Sequence, residues 1–440
     1  MAIQAYKLED NRECLIPDDV ALKLRRFSGV PLEELSRKNP RLLIVPHCLG
    51  ENGDRIGEGC LFSLKGQSLC VGNVVGFWGV EGVHVRVHSR FDTDERQYFF
   101  HYMLQRVSGV NVLNMNTLPD LEDVWDFLIY LFPIALKNAL SQGVYRAYRV
   151  FNYDDDHLRG HVDVARFIRR DIPFAGHIAY STRKHSSNSH VIQLVRHTVE
   201  FIRRQNPTLL SIDMDMRRAV EMIVQLTPDY EERCRSKVIA ANLRPIQHPY
   251  YSSYTVLQKI CLQILRHEKI SFGEKDGSIC GIVFDAAWLW EEYLAKVFAV
   301  NENGIVHPQN KKGKFPVCFV HPNELHHNGW PHYPDFYDKQ RRFILDAKYK
   351  RLGGGIGNED LCQLISYLHV LKYERGALIF PAEANAVRID GDLKGWGGRI
   401  GRISLAVPLS STIATFRDFA IGMNRNENNF LGLLDAVVWG

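Results

Sequence analysis

The sequence predicts a multi-domain α+β protein: a β-rich N-terminal domain over residues 1–118, a mostly helical and locally basic middle region over 119–254, and a C-terminal α/β domain over 255–440. Three observations predict it. β-Branched runs punctuated by Gly and Asn fill the first hundred residues. The texture then changes near Asp120, where apolar residues begin to recur at helical spacing. From about residue 255 helical and strand-like segments mix, with a helix on either side of a central hairpin.

The elements follow in chain order. LLIVPH (42–47), LCVGNVVGFW (69–78) and VHVRVHSRF (83–91) read as strands. In the last, Val83, Val85 and Val87 alternate with His84, Arg86 and His88, the mark of a half-buried strand with a polar outer face. DLEDVWDFLIYLFPIALKNAL begins with acids and ends near a lysine, as the helix dipole favours. SNSHVIQLVRHTVEFIRRQ (187–205) carries an N-cap signal, and DMDMRRAVEMIVQL (213–226) repeats the amphipathic pattern. TVLQKICLQILRHEKI, FDAAWLWEEYLAKVFAV and NEDLCQLISYLHVLKY are helical, whereas IVHPQ, FPVCFV, PDFYD, RRFILDAKYK, ALIFP and RISLAVPL read as strands. RLGGGIGNED (351–360) reads as a loop within the last domain.

The 440 residues carry 54 Lys+Arg against 50 Asp+Glu, a net charge of +4 that argues against a polybasic mode of nucleic-acid binding. Residues 141–250 hold 17 basic against 12 acidic residues, so the positive excess is local to the middle region. The nine cysteines stand singly with no C-x-x-C pair, which disfavours a disulfide scaffold or a zinc ribbon. No apolar leader opens the sequence, and the apolar run 127–136 is too short to span a bilayer. The expectation is a cytoplasmic protein that does not engage membranes.

The chemistry is concentrated in PDFYDKQRRFILDAK (334–348), read as a hairpin turning around Asp338 to Gln340. On its second strand Ile344, Asp346 and Lys348 share one face, and Phe343, Leu345 and Ala347 the other. A charged pair in a strand covered on both sides costs free energy unless the pair is used. Asp335 opens the partner strand and can converge on the same end. Two carboxylates and a lysine suit Mg2+-dependent phosphodiester cleavage: the carboxylates offer oxygen to a hard cation, and the lysine can position water or offset charge. The alternative is a surface hairpin whose Asp and Lys form an ion pair.

The pattern P-D-x10-D-A-K resembles that of the PD-(D/E)xK nuclease superfamily, the restriction-endonuclease-like fold. Its setting adds to the likeness, since Glu291-Glu292 lie on the preceding helix and Gln363 and Tyr367, spaced i, i+4, on the following one. With the flanks FDAAWLWEEYL (284–294), DLCQLISYLHVL (360–371) and LIFP, the C-terminal half is similar to McrC-family proteins of McrBC-type, methylcytosine-dependent restriction systems. VGNVVGFWGVEGVHVRVHSRF (71–91) and LRGHVDVARFIRRDIP (158–173) extend the resemblance upstream. It implies that Asp335 and Asp346 are metal ligands and Lys348 the catalytic lysine. Glu291 would be an accessory acid, with Glu292 the competing choice, and Gln363 and Tyr367 would support the site or contact the DNA backbone. It also implies Mg2+ as cofactor, double-stranded DNA as substrate, and an AAA+ GTPase partner that docks on the N-terminal domain. The absence of G-x-x-x-x-G-K-[ST] agrees that any nucleotide site lies on another chain. TRKHSSNSHVIQLVRHT is more basic and histidine-rich than the family leads one to expect.

Other clusters read more plainly. His321, His326, His327 and His332 match no zinc finger and suit a polar loop at the rim of the site. Asp154-Asp155-Asp156 lacks EF-hand spacing and reads as a solvated acidic turn. Arg169-Arg170, Arg203-Arg204 and Arg217-Arg218 suit either phosphate contacts or plain surface. Trp288, Trp290 and Tyr293 read as core. Two rival functions remain: a non-catalytic subunit that activates a partner NTPase, and a standalone nuclease of the same fold.

Overall fold

The computed structural model describes residues 4–39, 42–46, 59–92, 96–108, 126–174, 176–246, 248–266, 277–299, 304–308, 333–395 and 397–438. FPVCFV and the four histidines between 321 and 332 lie outside the described residues. The chain is a mixed α+β protein with two compact units, one formed by 1–121 together with 271–440 and the other by 122–270.

In the first unit, a five-stranded sheet runs in the order Gln4–Glu9, Val83–His88, Val74–Val80, Cys280–Asp285, Leu42–Val45. Its fourth strand comes from the part of the chain assigned by sequence to the C-terminal domain. Cys280–Asp285 pairs antiparallel with Val74–Val80 and parallel with Leu42–Val45. The two long strands cross closely because neither carries a side chain at the contact: Gly76 and Gly281 both have positive φ, +135° and +143°. A Cβ on Gly281 would lie 2.3 Å from the carbonyl oxygen of Phe77, so only glycine fits. Trp78, stacked on Phe62 at 4.8 Å, anchors the core beneath this sheet with Leu24, Leu35, Val83 and Val283. A smaller sheet of Glu13–Leu15, Ser68–Val71 and Phe62–Lys65 adjoins it.

The second sheet of this unit runs Phe336–Asp338, Phe343–Ala347, Arg375–Ala382, Arg399–Ala406, Ala386–Asp392. Its three middle strands are parallel and both outer strands antiparallel to their neighbours. Parallel neighbours need a crossover, and helix Asn358–Leu371 supplies the one between Phe343–Ala347 and Arg375–Ala382. It covers one face through Leu364, Tyr367 and Leu368, which pack with Ile344, Leu378 and Phe380. Helix Ala286–Ala299 brings Phe298 against Phe336, with ring centroids 4.9 Å apart, and Phe430 of helix Phe416–Val438 packs beside it. That last helix and the strand Ala386–Asp392 are absent from the sequence reading.

The second unit is built on helices Asp126–Ser141, His190–Gln205, Met214–Leu226, Arg235–Ala241 and Ser252–Arg266. Ser189 and Asp213 cap two of them, accepting from the backbone N–H groups of Ile192 and Met216. Ser252–Arg266, expected to open the C-terminal domain, belongs here: Tyr254 donates to the Gly143 carbonyl, and Gln258 donates to the carbonyl and side-chain oxygens of Asn242. The unit also holds a three-stranded sheet, Ala147–Asp155, Ile178–Ser186 and His161–Val162, within the region expected to be mostly helical. Tyr148, Val150 and Val162 on it are exposed, so the strands lack the apolar-in, polar-out alternation that signals a strand in sequence.

Candidate active site

The short hairpin of the C-terminal sheet sets the geometry. Phe336 pairs with Leu345 and Asp338 with Phe343, so the same register carried one step back sets Asp335 opposite Asp346. The ten-residue spacing in the sequence is therefore the length of strand and turn that brings two carboxylates face to face. Asp338 organises the turn, its Oδ1 accepting from the N–H groups of Gln340 and Arg341 at 2.8 and 2.9 Å, and Arg342 closes it at positive φ. Asp335 is fixed in turn by the N–H of Ala347, which donates to its Oδ2 at 2.7 Å.

Asp346 is completely buried. The Lys348 ammonium lies 2.5 Å from its Oδ2, while Oδ1 has no hydrogen-bond donor. The ion pair weighed as the alternative does form, but its carboxylate is at 0% exposure inside the unit rather than on the surface. Burial, and then the charge of Asp335, push the Asp346 carboxyl up to about 7 despite the opposing pull of Lys348. Burial works to lower the lysine, but Asp346 and Asp335 outweigh it and hold the ammonium above its ordinary range. Lys348 is further held by Gln363, whose Oε1 accepts its proton at 2.9 Å, and Gln363 Nε2 donates to the Tyr367 hydroxyl at 2.8 Å. The i, i+4 pair thus forms a relay ending on the lysine.

Of the adjacent glutamates, Glu291 lies among the other carboxylates. Burial, then Asp335, Glu292 and Asp346, hold it well above the usual carboxylate range. Glu292 is engaged by His307, which the sequence reading passed over inside the expected strand IVHPQ. That strand reduces to one antiparallel bridge, Val306 with Tyr337. The bridge nonetheless seats His307 with Nδ1 2.8 Å from the Asp335 carbonyl and Nε2 3.4 Å from Glu292 Oε1.

The donor set fits a hard divalent cation. It is all oxygen, it is crowded with negative charge, and it contains a buried carboxylate oxygen without a donor. Among the described residues no three His, Cys, Asp or Glu side chains converge at full coordination spacing. Mg2+ does not require such a cage, since it is commonly held by one or two carboxylates together with waters and substrate phosphate.

The other candidates are placed as follows. Trp290 and Tyr293 are fully buried, in keeping with the core reading. Asp155 ends a strand and accepts from Arg159 and Tyr180, and Asp156 pairs with His157 on the surface. Arg203 and Arg204 are tied to Glu200 and Glu232. Arg169, Arg170, Arg217 and Arg218 are exposed. No helix among the described residues is long and apolar enough to cross a membrane.

A family model described as "McrBC 5-methylcytosine restriction system component" matches residues 69–381, which takes in the second unit, the strands Val74–Val80, Val83–His88 and Cys280–Asp285 of the first, and the hairpin. The chain belongs to the McrBC family. No curated protein matches this McrBC-family chain. Among solved structures, a refined half-complex from a tetradecameric assembly of Thermococcus gammatolerans McrB AAA+ hexamers with bound McrC is similar to it at TM-score 0.48 and 14% identity, over 97% of this chain and 100% of that one. The cryo-EM structure of the Thermococcus gammatolerans McrBC complex is similar at TM-score 0.30 and 16% identity, over 68% of this chain and 88% of that one.

Proposed function

We propose that this chain is the Mg2+-dependent DNA endonuclease subunit of a McrBC-like restriction complex, hydrolysing phosphodiester bonds when assembled with an AAA+ GTPase partner that recognises and translocates DNA. Its C-terminal sheet and flanking helices are read as a PD-(D/E)xK domain, and its N-terminal β region as the part that docks on the partner. The observation that carries the reading is Asp346: a completely buried carboxylate with one oxygen bare, beside a lysine and opposite a second aspartate. A purely structural ion pair gains nothing from a third and fourth acid nearby, whereas a cation site needs that excess of negative charge.

Asp335 and Asp346 would hold Mg2+, with Glu291 as the accessory acid. When bound, the cation supplies Lewis-acid stabilisation of the phosphate and of the nucleophilic water. Lys348, oriented by Gln363 and Tyr367, orients that water and offsets negative charge developing on the phosphate. Asp346 and Lys348 stand side by side, so water positioned by the lysine also lies within reach of the carboxylate end of the site. The family supports the restriction role.

The test incubates plasmid DNA with the chain, its AAA+ partner, GTP and Mg2+. Natural sequence cuts, while Asp346→Ala and Lys348→Ala lose cutting by about 100-fold or more yet still assemble with the partner. Cutting by Asp346→Ala at the natural rate refutes the site. GTPase stimulation without any cutting by the natural sequence favours the regulatory reading, and cutting without a partner favours a standalone nuclease.

A further inference from the structure

His307 occupies a position that the catalytic reading leaves unexplained. Its side chain is nearly enclosed, at 11% exposure, with its ring tilted against Phe336 at 4.9 Å between centroids. Its two nitrogens reach different elements. Nδ1 meets the main-chain carbonyl of Asp335, while Nε2 lies 3.4 Å from Glu292 and 3.8 Å from Glu291 on helix Ala286–Ala299. A carbonyl can only accept, so Nδ1 faces Asp335 as a donor, while Nε2 is turned toward the glutamates. The backbone beside it is equally tied, Val306 and Tyr337 exchanging two N–H···O bonds of 2.8 and 3.0 Å. The imidazole therefore spans the gap between the strand that bears Asp335 and the helix that bears both glutamates.

We infer that His307 is a positioning residue that clamps the Asp335 main chain to the Glu291–Glu292 turn, presetting the carboxylates for the divalent cation. The inference rests on the proposed nuclease reading and deepens it. Carboxylates crowded together repel one another, so without a cross-link Asp335 and the Glu291–Glu292 turn drift apart locally, even with Phe298 still packed on Phe336, and the ligands must be regathered each time a cation binds. Outer groups of this kind are worth on the order of 10–100-fold in metal affinity. The clamp does not touch the reacting phosphate, so its loss weakens cation binding more than it slows the chemical step.

The experiment measures Mn2+ binding to the full-length chain by loss of the free-ion electron paramagnetic resonance signal, beside the Mg2+ dependence of DNA cutting by the assembled complex. His307→Ala weakens Mn2+ binding by about 10-fold or more and raises the Mg2+ needed for half-maximal cutting by a similar factor. At saturating Mg2+ its cutting rate returns to within about 3-fold of the natural sequence. His307→Gln, which retains an N–H donor toward Glu292, recovers part of the affinity and keeps the test open if the alanine variant folds poorly. Natural Mn2+ affinity in both variants overturns the inference, as does a loss of cutting that saturating Mg2+ does not restore. The underlying reading fails separately: there the natural sequence neither binds Mn2+ nor cuts, or Asp346→Ala behaves like it in both assays.

Discussion

Replacing Asp346 by Asn separates a carboxylate kept for chemistry from one kept for stability. The carboxyl is completely buried and held at about 7, against an ordinary value of 3.8, by burial first and Asp335 second. Ionising it in the folded chain therefore costs roughly 4 kcal/mol more than in the unfolded chain. Asparagine removes that cost, keeps the shape, and offers N–H donors to the acids around it. The pull of Lys348, 2.5 Å from Oδ2, is already contained in that value, so the net gain in the metal-free protein is at most about 4 kcal/mol above pH 7. The pH dependence has a definite sign. Between about pH 4 and 7 the folded chain retains a proton that the unfolded chain has released, so the natural sequence loses stability as pH rises through that window. The advantage of Asp346→Asn is accordingly full above pH 7, smaller at pH 5, and absent below pH 4. Urea unfolding of metal-free protein at pH 5 and pH 8, followed by tryptophan fluorescence, measures the difference, and DNA cutting by the same variant is lost. A variant less stable than the natural sequence at pH 8 refutes the reasoning, because it would make Asp346–Lys348 a structural salt bridge. A gain equal at both pH values refutes the titration that underlies it.

Two further predictions concern the framework. Glu427 accepts from the Tyr102 and Tyr293 hydroxyls at 2.7 Å each and pairs with Arg106 at 2.7 Å, all inside the first unit, so Glu427→Ala strands a largely buried guanidinium and destabilises by about 3–5 kcal/mol in urea unfolding. Gly281→Ala forces a Cβ to within 2.3 Å of the Phe77 carbonyl at φ +143°, and costs about 3 kcal/mol or more, read as a lower urea midpoint or as insoluble protein.

Much of the candidate site was legible because its determinants are local. The spacing from Asp335 to Asp346 is the length of a two-stranded hairpin with its turn, and strand alternation puts Asp346 and Lys348 on one face. The i, i+4 spacing of Gln363 and Tyr367 likewise guarantees a shared helix face, and the two side chains do bond. His307 was missed because nothing around it repeats: its strand is a single bridge, and both its contacts are distant in sequence. The choice between Glu291 and Glu292 was also out of reach, since neighbours on a helix differ only in which way they face. Only packing shows that Glu291 senses Asp335 and Asp346, and that His307 lies nearer Glu292, at 3.4 Å, than Glu291, at 3.8 Å.

By itself the sequence determined the helices with strong caps and periodicity, the hairpin and its facing carboxylates, and the family's restriction context. Each of these follows from hydrogen bonds or spacings closed within a few tens of residues. Tertiary structure alone decided that Cys280–Asp285 joins the N-terminal sheet, that Ser252–Arg266 belongs with the middle helices, and that the Asp346 carboxylate is buried rather than displayed. Those outcomes depend on which distant surface each segment covers, and a strand's own residues fix its pleat but not its neighbour. The same holds for the net charge of +4. Composition sets its size, but only the fold brings several acids to one point.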